Sequence, residues 1–104
     1  MNFFNLNNPP QPGCEHFETL CEHAGGTIER IASNTFVNGQ WYDQEHDEWV
    51  MLMQGSALME FDNHKKITLS PGDYLLIKAH QRHRVVKTSE DTLWLAIHFT
   101  APTP

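Results

Sequence analysis

Residues 41–49 read WYDQEHDEW, so five acidic or histidine side chains and a glutamine lie between Trp41 and Trp49, and the apolar run VMLMQ follows at once. Carboxylates and imidazoles are the side chains that bind divalent cations and exchange protons near neutral pH. Two chemistries follow from such a stretch: metal coordination, or general acid–base work. A solvated turn has the same composition, and His46, among Glu45, Asp47 and Glu48, fits either role. Glu48 separates the readings. It opens the apolar strand, and a carboxylate buried beside Val50 and Leu52 costs several kcal/mol unless a cation or hydrogen-bond donors compensate. Glu48 is therefore assigned to a site, with Tyr42 as a nearby donor and a further catalytic candidate.

A second stretch, SPGDYLLIKAHQRHRV (residues 70–85), supplies a partner. Pro71–Gly72 makes a tight turn in which Asp73 hydrogen-bonds. A strand runs to Ile77, the chain turns, and the returning strand begins with His83. A divalent first-row ion needs at least three N, O or S ligands at about 2.0–2.2 Å. Glu48 and His83 are two. His46 shares the face of Glu48 if the chain is already extended there, giving a two-histidine, one-carboxylate set with open positions. His98 stands in the most apolar segment, LWLAIHF, where its ring nitrogens need partners; it lines the same cavity or bonds a carbonyl in the core. The ligands expected from these residues are thus His46, Glu48, His83 and His98, around a divalent Fe, Mn, Ni or Zn. His80 reads as a rim residue, and His16, His23 and His64 as surface residues.

The elements that must position these groups are mostly strands. TIERIAS, TFVNGQWY, EWVMLMQ, SALMEFD, KKITLS, DYLLIKA, HRVVKT and TLWLAIHF are short and rich in β-branched, aromatic and other apolar residues, with turn residues between most of them. That spacing predicts an all-β sandwich or barrel. Before it, NNPPQPG is a loop. In CEHFETLCEH, Phe17, Leu20 and Cys21 recur at i, i+3 and i+4, which predicts a short helix ended by Gly25–Gly26. The chain therefore divides into an N-terminal extension with a short helix packing on the barrel, 1–26, and a β-barrel, 27–104. In EWVMLMQ, Val50 and Leu52 point one way while Trp49, Met51 and Met53 point the other. Two apolar faces imply a barrel interior on one side and a covered surface on the other; a homodimer is expected, through Trp49, Met51 and Met53 or their opposite-face neighbours.

Glu48 through Gly55 (a glutamate, six residues, a glycine) and Gly72 through His83 (a glycine, ten residues, a histidine) together resemble the two motifs of the cupin superfamily, with PGDYLLIKAHQRHRV the more specific match. The resemblance covers the chain from about Thr27 onward and implies a single-domain jelly-roll barrel. In cupins the glutamate and the second-motif histidine usually bind a divalent metal inside the barrel, with a His-x-His pair just upstream. Here those two positions fall on Tyr42 and Gln44 in a tighter register, or Trp41 and Asp43 in a looser one; the tighter register implies the uncharged carbonyl oxygen of Gln44 as a further ligand, for an expected set of Gln44, His46, Glu48, His83 and His98. Lys78, His80 and Lys87 replace the usual proline, glycine and asparagine of the second motif. Many small cupins are metal-dependent oxygenases, isomerases or lyases. The other class the resemblance allows is a non-catalytic small-ligand binder.

Bulk properties narrow the partners. A chain of 104 residues has room for one domain, and a net charge of −6 with scattered lysine and arginine does not suit a nucleic-acid backbone. No apolar stretch approaches a membrane span, MNFFNLNNPP lacks the pattern of a signal peptide, and the chain reads as cytoplasmic. Cys14 and Cys21 match no zinc or redox spacing. The expected partner is a small molecule.

Overall fold

The computed structural model describes residues 1–100; the last four positions of the predicted barrel segment lie outside the described residues. Eight strands are present: β1 (Cys14–His23), β2 (Gly26–Asn34), β3 (Asp47–Gln54), β4 (Ala57–Phe61), β5 (Lys66–Leu69), β6 (Tyr74–Ile77), β7 (His83–Thr88) and β8 (Thr92–Phe99). They form a five-stranded sheet in the order β1-β2-β8-β3-β6 and a three-stranded sheet in the order β5-β4-β7, with every pairing antiparallel. The two sheets close on a core of Val50, Leu52, Met59, Phe61, Leu69, Ile77, Trp94 and Ala96. The all-β expectation holds, and the described residues contain no helix, so none is long and apolar enough to cross a membrane.

Two predicted elements are corrected. The segment expected as a short helix is β1, paired along its length with β2. Its register shifts between Thr19 and Cys21, so Leu20 is an extra residue and the two-residue alternation slips by one. The helical spacing of Phe17, Leu20 and Cys21 therefore lies inside an extended strand. Ala24 and Gly25, both at positive φ (51° and 77°), then make the tight turn into β2, as a two-residue hairpin requires. The segment TFVNGQWY is not a strand. Thr35 and Asn38 sit in the left-handed region (φ 48° and 52°), which breaks extended backbone. Isolated bridges, Val37 to Lys87 and Tyr42 to His83, and single hydrogen bonds such as that from the Gly39 amide to the Val85 carbonyl tie it to β7 without a continuous ladder.

β3 shows why the interior is dry at one end and polar at the other. Glu48, Val50 and Leu52 are buried on its inner face, opposite Ile77 on β6 and His98, Ala96 and Trp94 on β8. The strand leaves the core through Gly55, whose φ of +86° suits glycine. A Cβ there would lie 2.6 Å from both the Ser89 and Thr92 hydroxyl oxygens. The outer face carries Trp49, Met51 and Met53, flanked by the exposed Tyr74 and Leu76 of β6. The N-terminal segment is held by the Arg30 guanidinium, which donates to the carbonyl of Phe3 at 2.8 Å and that of Asn5 at 3.3 Å while pairing with Glu18.

Candidate active site

The polar stretch 41–47 does two jobs, and most of its charge serves the first, which is to tie the loop down. Asp47 Oδ1 accepts from the Ala79 amide at 2.8 Å, and Asp43 pairs with His80 at 2.8 Å. The Gln44 carbonyl accepts from the His80 amide at 2.7 Å, and Tyr42 exchanges two backbone hydrogen bonds with His83. The loop is thus laced to residues 78–83, the turn that leads into β7. Asp43, the looser-register ligand, is spent on the rim.

The second job is to present Tyr42 and Gln44, beside Glu48 of β3, to a cavity of about 370 Å³. That is the lower range of small-molecule sites. Val50, Met59, Ile77, Val85 and Trp94 form apolar walls, His83 and His98 sit with Glu48, and Glu15, Phe17, Glu29 and Ile31 from β1 and β2 complete the lining. Glu48 is 7% exposed and His83 5%. Gln44 Nε2 donates to Glu48 Oε1 at 2.9 Å. His83 Nδ1 lies 2.9 Å from the Gln81 carbonyl, which only accepts, so Nδ1 carries a proton, and in the neutral tautomer that bond selects, Nε2 is a bare acceptor. That Nε2 stands 4.0 Å from Glu48 Oε1, close but not hydrogen-bonded. The Tyr42 ring stacks on the His83 ring at 5.7 Å between centroids.

His98 belongs to a different group. Its Nε2 meets Glu29 Oε1 at 3.1 Å and its Nδ1 meets His46 Nε2 at 2.9 Å. The hydrogen bond to Glu29 holds the His98 imidazole above its ordinary pKa, against the opposing effect of burial. Farther along the cavity, Ser33 donates to Glu15 Oε2 at 2.6 Å and accepts from the Trp94 indole at 3.2 Å. Burial pushes the Glu15 carboxyl up, with the Ser33 hydrogen bond partly offsetting it.

The expected five-residue ligand set is therefore split. Gln44, Glu48 and His83 converge, whereas His46 turns onto His98 and away from Glu48. No three His, Cys, Asp or Glu side chains converge as metal ligands among the described residues. The Gln44 amide points its N–H, not its oxygen, at the carboxylate, which suits a carboxylate satisfied by donors. These residues do not fit the metal that the cupin resemblance implies. Glu29 and Glu15 were missed by sequence reasoning. Glu29 lies between Ile28 and Arg30 and resembles a solvent-facing strand residue, and Glu15 falls in the segment that mimics a helix.

A two-sheet antiparallel barrel with its polar groups gathered inside one end is the cupin architecture, and the Cupin domain family model matches residues 28–98. The chain belongs to the cupin family. It is 42% identical to a Ralstonia eutropha protein provisionally assigned as a mannose-6-phosphate isomerase, with 97% of each chain covered and a TM-score of 0.83. KdgF from a Halomonas species shares the fold at 20% identity, covering 98% of this chain and 94% of that one, with a TM-score of 0.80. A 47-residue stretch is 38% identical to L-ectoine synthase of Rhodococcus erythropolis, spanning 44% of this chain and about a third (36%) of that protein.

Proposed function

We propose that this cupin binds a small carbonyl compound in its barrel and moves a proton on it, as an isomerase or lyase does. One observation carries the reading: the Glu48 carboxylate and the bare Nε2 of His83 face one cavity 4.0 Å apart, both more than nine-tenths buried. Acid–base catalysis needs two such groups within reach of one substrate. Glu48 takes a proton from the carbon next to the carbonyl, and the C–H electron pair moves onto the carbonyl oxygen. Tyr42, which lines the cavity, donates to that oxygen. Where that carbon carries a hydroxyl, His83 takes the hydroxyl proton and passes it to the enolate oxygen, the O–H electron pair forms the new carbonyl, and Glu48 returns its proton to the former carbonyl carbon, an isomerisation without any co-reactant. The relative provisionally assigned as an isomerase supports the reaction class. Its named substrate is a sugar phosphate, and this cavity has no lysine or arginine to receive one.

The test is solvent exchange. In D₂O the protein is expected to wash deuterium into the carbon beside the carbonyl of hydroxyacetone or aminoacetone, followed by NMR. Exchange no faster than in protein-free buffer across the panel removes the acid–base reading. A metal-dependent reaction at Glu48 and His83 is the alternative, and it requires Gln44 to turn its oxygen inward. Adding Mn²⁺, Fe²⁺, Ni²⁺ or Zn²⁺ is expected to leave Tm within about 1 °C; ligands at a hundredfold excess over Kd stabilise by about 2.7 kcal/mol. A rise that His83→Ala abolishes would establish the metal reading instead.

The same reading includes a cytoplasmic homodimer. The outer face of β3, β6 and β8 offers Trp49, Met51, Tyr74, Leu76, Leu95 and Ile97 with no charge among them. A neutral, apolar face adds no charge of its own to the repulsion between two chains of charge −6. Light scattering at high concentration is expected to give a dimer mass, and Leu76→Glu to give a monomer.

A further inference from the structure

We infer that the cavity selects a small molecule carrying an ammonium group and turns away phosphates and carboxylates. The inference rests on the reading of the cavity as a ligand site and adds the charge of what enters it. Three carboxylates line the cavity, those of Glu15, Glu29 and Glu48, and no lysine or arginine does. The chain has seven lysines and arginines in all, and each is committed elsewhere. Arg30 pairs with Glu18 on the outer face, and Arg84 pairs with Glu60. The guanidiniums of Arg82 and Arg84 lie over the Trp41 ring at 5.2 and 5.0 Å. The four lysines are exposed. Helix N-termini, a common anion site, are absent among the described residues, which contain no helix.

The carboxylates are not equal. Glu29 is engaged by His98, and Glu15 by Ser33. Glu48 is the anchor. Its Oε1 accepts from Gln44, while its Oε2 has no hydrogen-bond partner among the described residues, and neither has His83 Nε2. Every fully enclosed side-chain N or O among those residues does have a partner, so these two acceptors are reached from the cavity. A carboxylate oxygen and a bare imidazole nitrogen, both acceptors, fit a ligand that donates more than one proton. An ammonium group has three N–H donors and a full charge, and the Tyr42, Trp94 and Phe17 rings in the lining add faces that attract a cation.

The experiment uses three probes of one shape and different charge: phenethylamine, 2-phenylethanol and 3-phenylpropionate, with inorganic phosphate as a fourth. Binding is read on the full chain by NMR from the Trp94 indole N–H, with the Trp41 and Trp49 indoles reporting surface association, before and after chelator treatment. Phenethylamine is expected to move the Trp94 signal with a Kd at least roughly tenfold below that of the alcohol, the size of one charge-assisted hydrogen bond. The two anions are expected to leave it unmoved. Glu48→Gln should equalise amine and alcohol, and Glu48→Asp, which keeps the charge, should preserve the preference. Equal wild-type affinities for amine and alcohol, or tighter binding of either anion, overturn the charge selection while leaving the cavity a ligand site. A Trp94 signal that no probe moves overturns the ligand site itself, and the inference with it.

Discussion

His83 and His98 face the same cavity from opposite sheets, and their ring nitrogens are used in opposite ways. Both nitrogens of His98 are occupied, one by Glu29 and one by His46. His83 ties only Nδ1, to the Gln81 carbonyl, and leaves Nε2 open 4.0 Å from Glu48. A saturated histidine fixes the elements around it, here β2, β8 and the loop before β3. A half-satisfied one has a nitrogen to offer a substrate. The lesson is that a histidine in an apolar strand declares a need for partners, and only the count of partners found tells structure from chemistry.

The largest effects should separate these two centres by activity. Glu48→Gln is expected to lower deuterium exchange about 10²–10⁴-fold, the usual worth of a positioned acid or base, and His83→Ala by a similar factor. His98→Phe should cost less than tenfold. Equal losses at His83 and His98 would merge the two centres into one catalytic unit and break the distinction.

Stability should rank them the other way. His98→Phe keeps a ring in place but strips the partners of Glu29 and His46, leaving two partly buried polar groups unsatisfied; a loss of about 1–3 kcal/mol is expected from urea unfolding. His83→Phe removes a single hydrogen bond to a loop carbonyl and should cost about 1 kcal/mol. Finding His83→Phe the more damaging change would mean that His83 braces the loop 41–47 more than it serves the cavity.

How far such a division is legible in the sequence differs from residue to residue. Glu48 and His83 were readable because each combines a polar group with the start of an apolar strand, and burial of that kind must be compensated. Seven of the eight predicted strands appear for the same reason of pattern and turn residues. Tyr42 and Gln44 were found through motif spacing, and both line the cavity. The pairing of His46 with His98 was not readable, since it joins residues 52 positions apart through a register that only the β3–β8 ladder fixes. The bulge at Leu20 hid β1, and with it Glu15 and Phe17. Glu29 illustrates a general limit: alternation identifies two faces of a strand, and a polar residue on one of them looks solvated until the site behind it is known.

The smallest expected effect is the pH dependence that His98 contributes. Its hydrogen bond to Glu29, helped by the nearby negative charges of Glu48 and Glu29 and opposed by burial, raises its folded pKa above the ordinary 6.5. A base whose folded pKa is raised contributes stability that is complete below its unfolded value and fades as pH rises through the folded one. Urea unfolding is therefore expected to show a shallow loss of stability on moving upward from pH 6.5. Glu15 acts in the same direction but from a lower start, because burial raises a carboxyl whose ordinary value is 4.5; its contribution begins to fall above pH 4.5. Glu60 runs opposite, since the hydrogen bond from Arg84 lowers its carboxyl and its contribution is lost only in acid, as pH falls through that lowered value. The variant Glu29→Gln isolates the His98 share, removing the charge that raises it and flattening the slope above pH 6.5 while leaving the acid limb in place. An unchanged slope in that variant would move the titration to another group and leave the Glu29–His98 pair a neutral hydrogen bond, weakening the contrast with His83 at its centre.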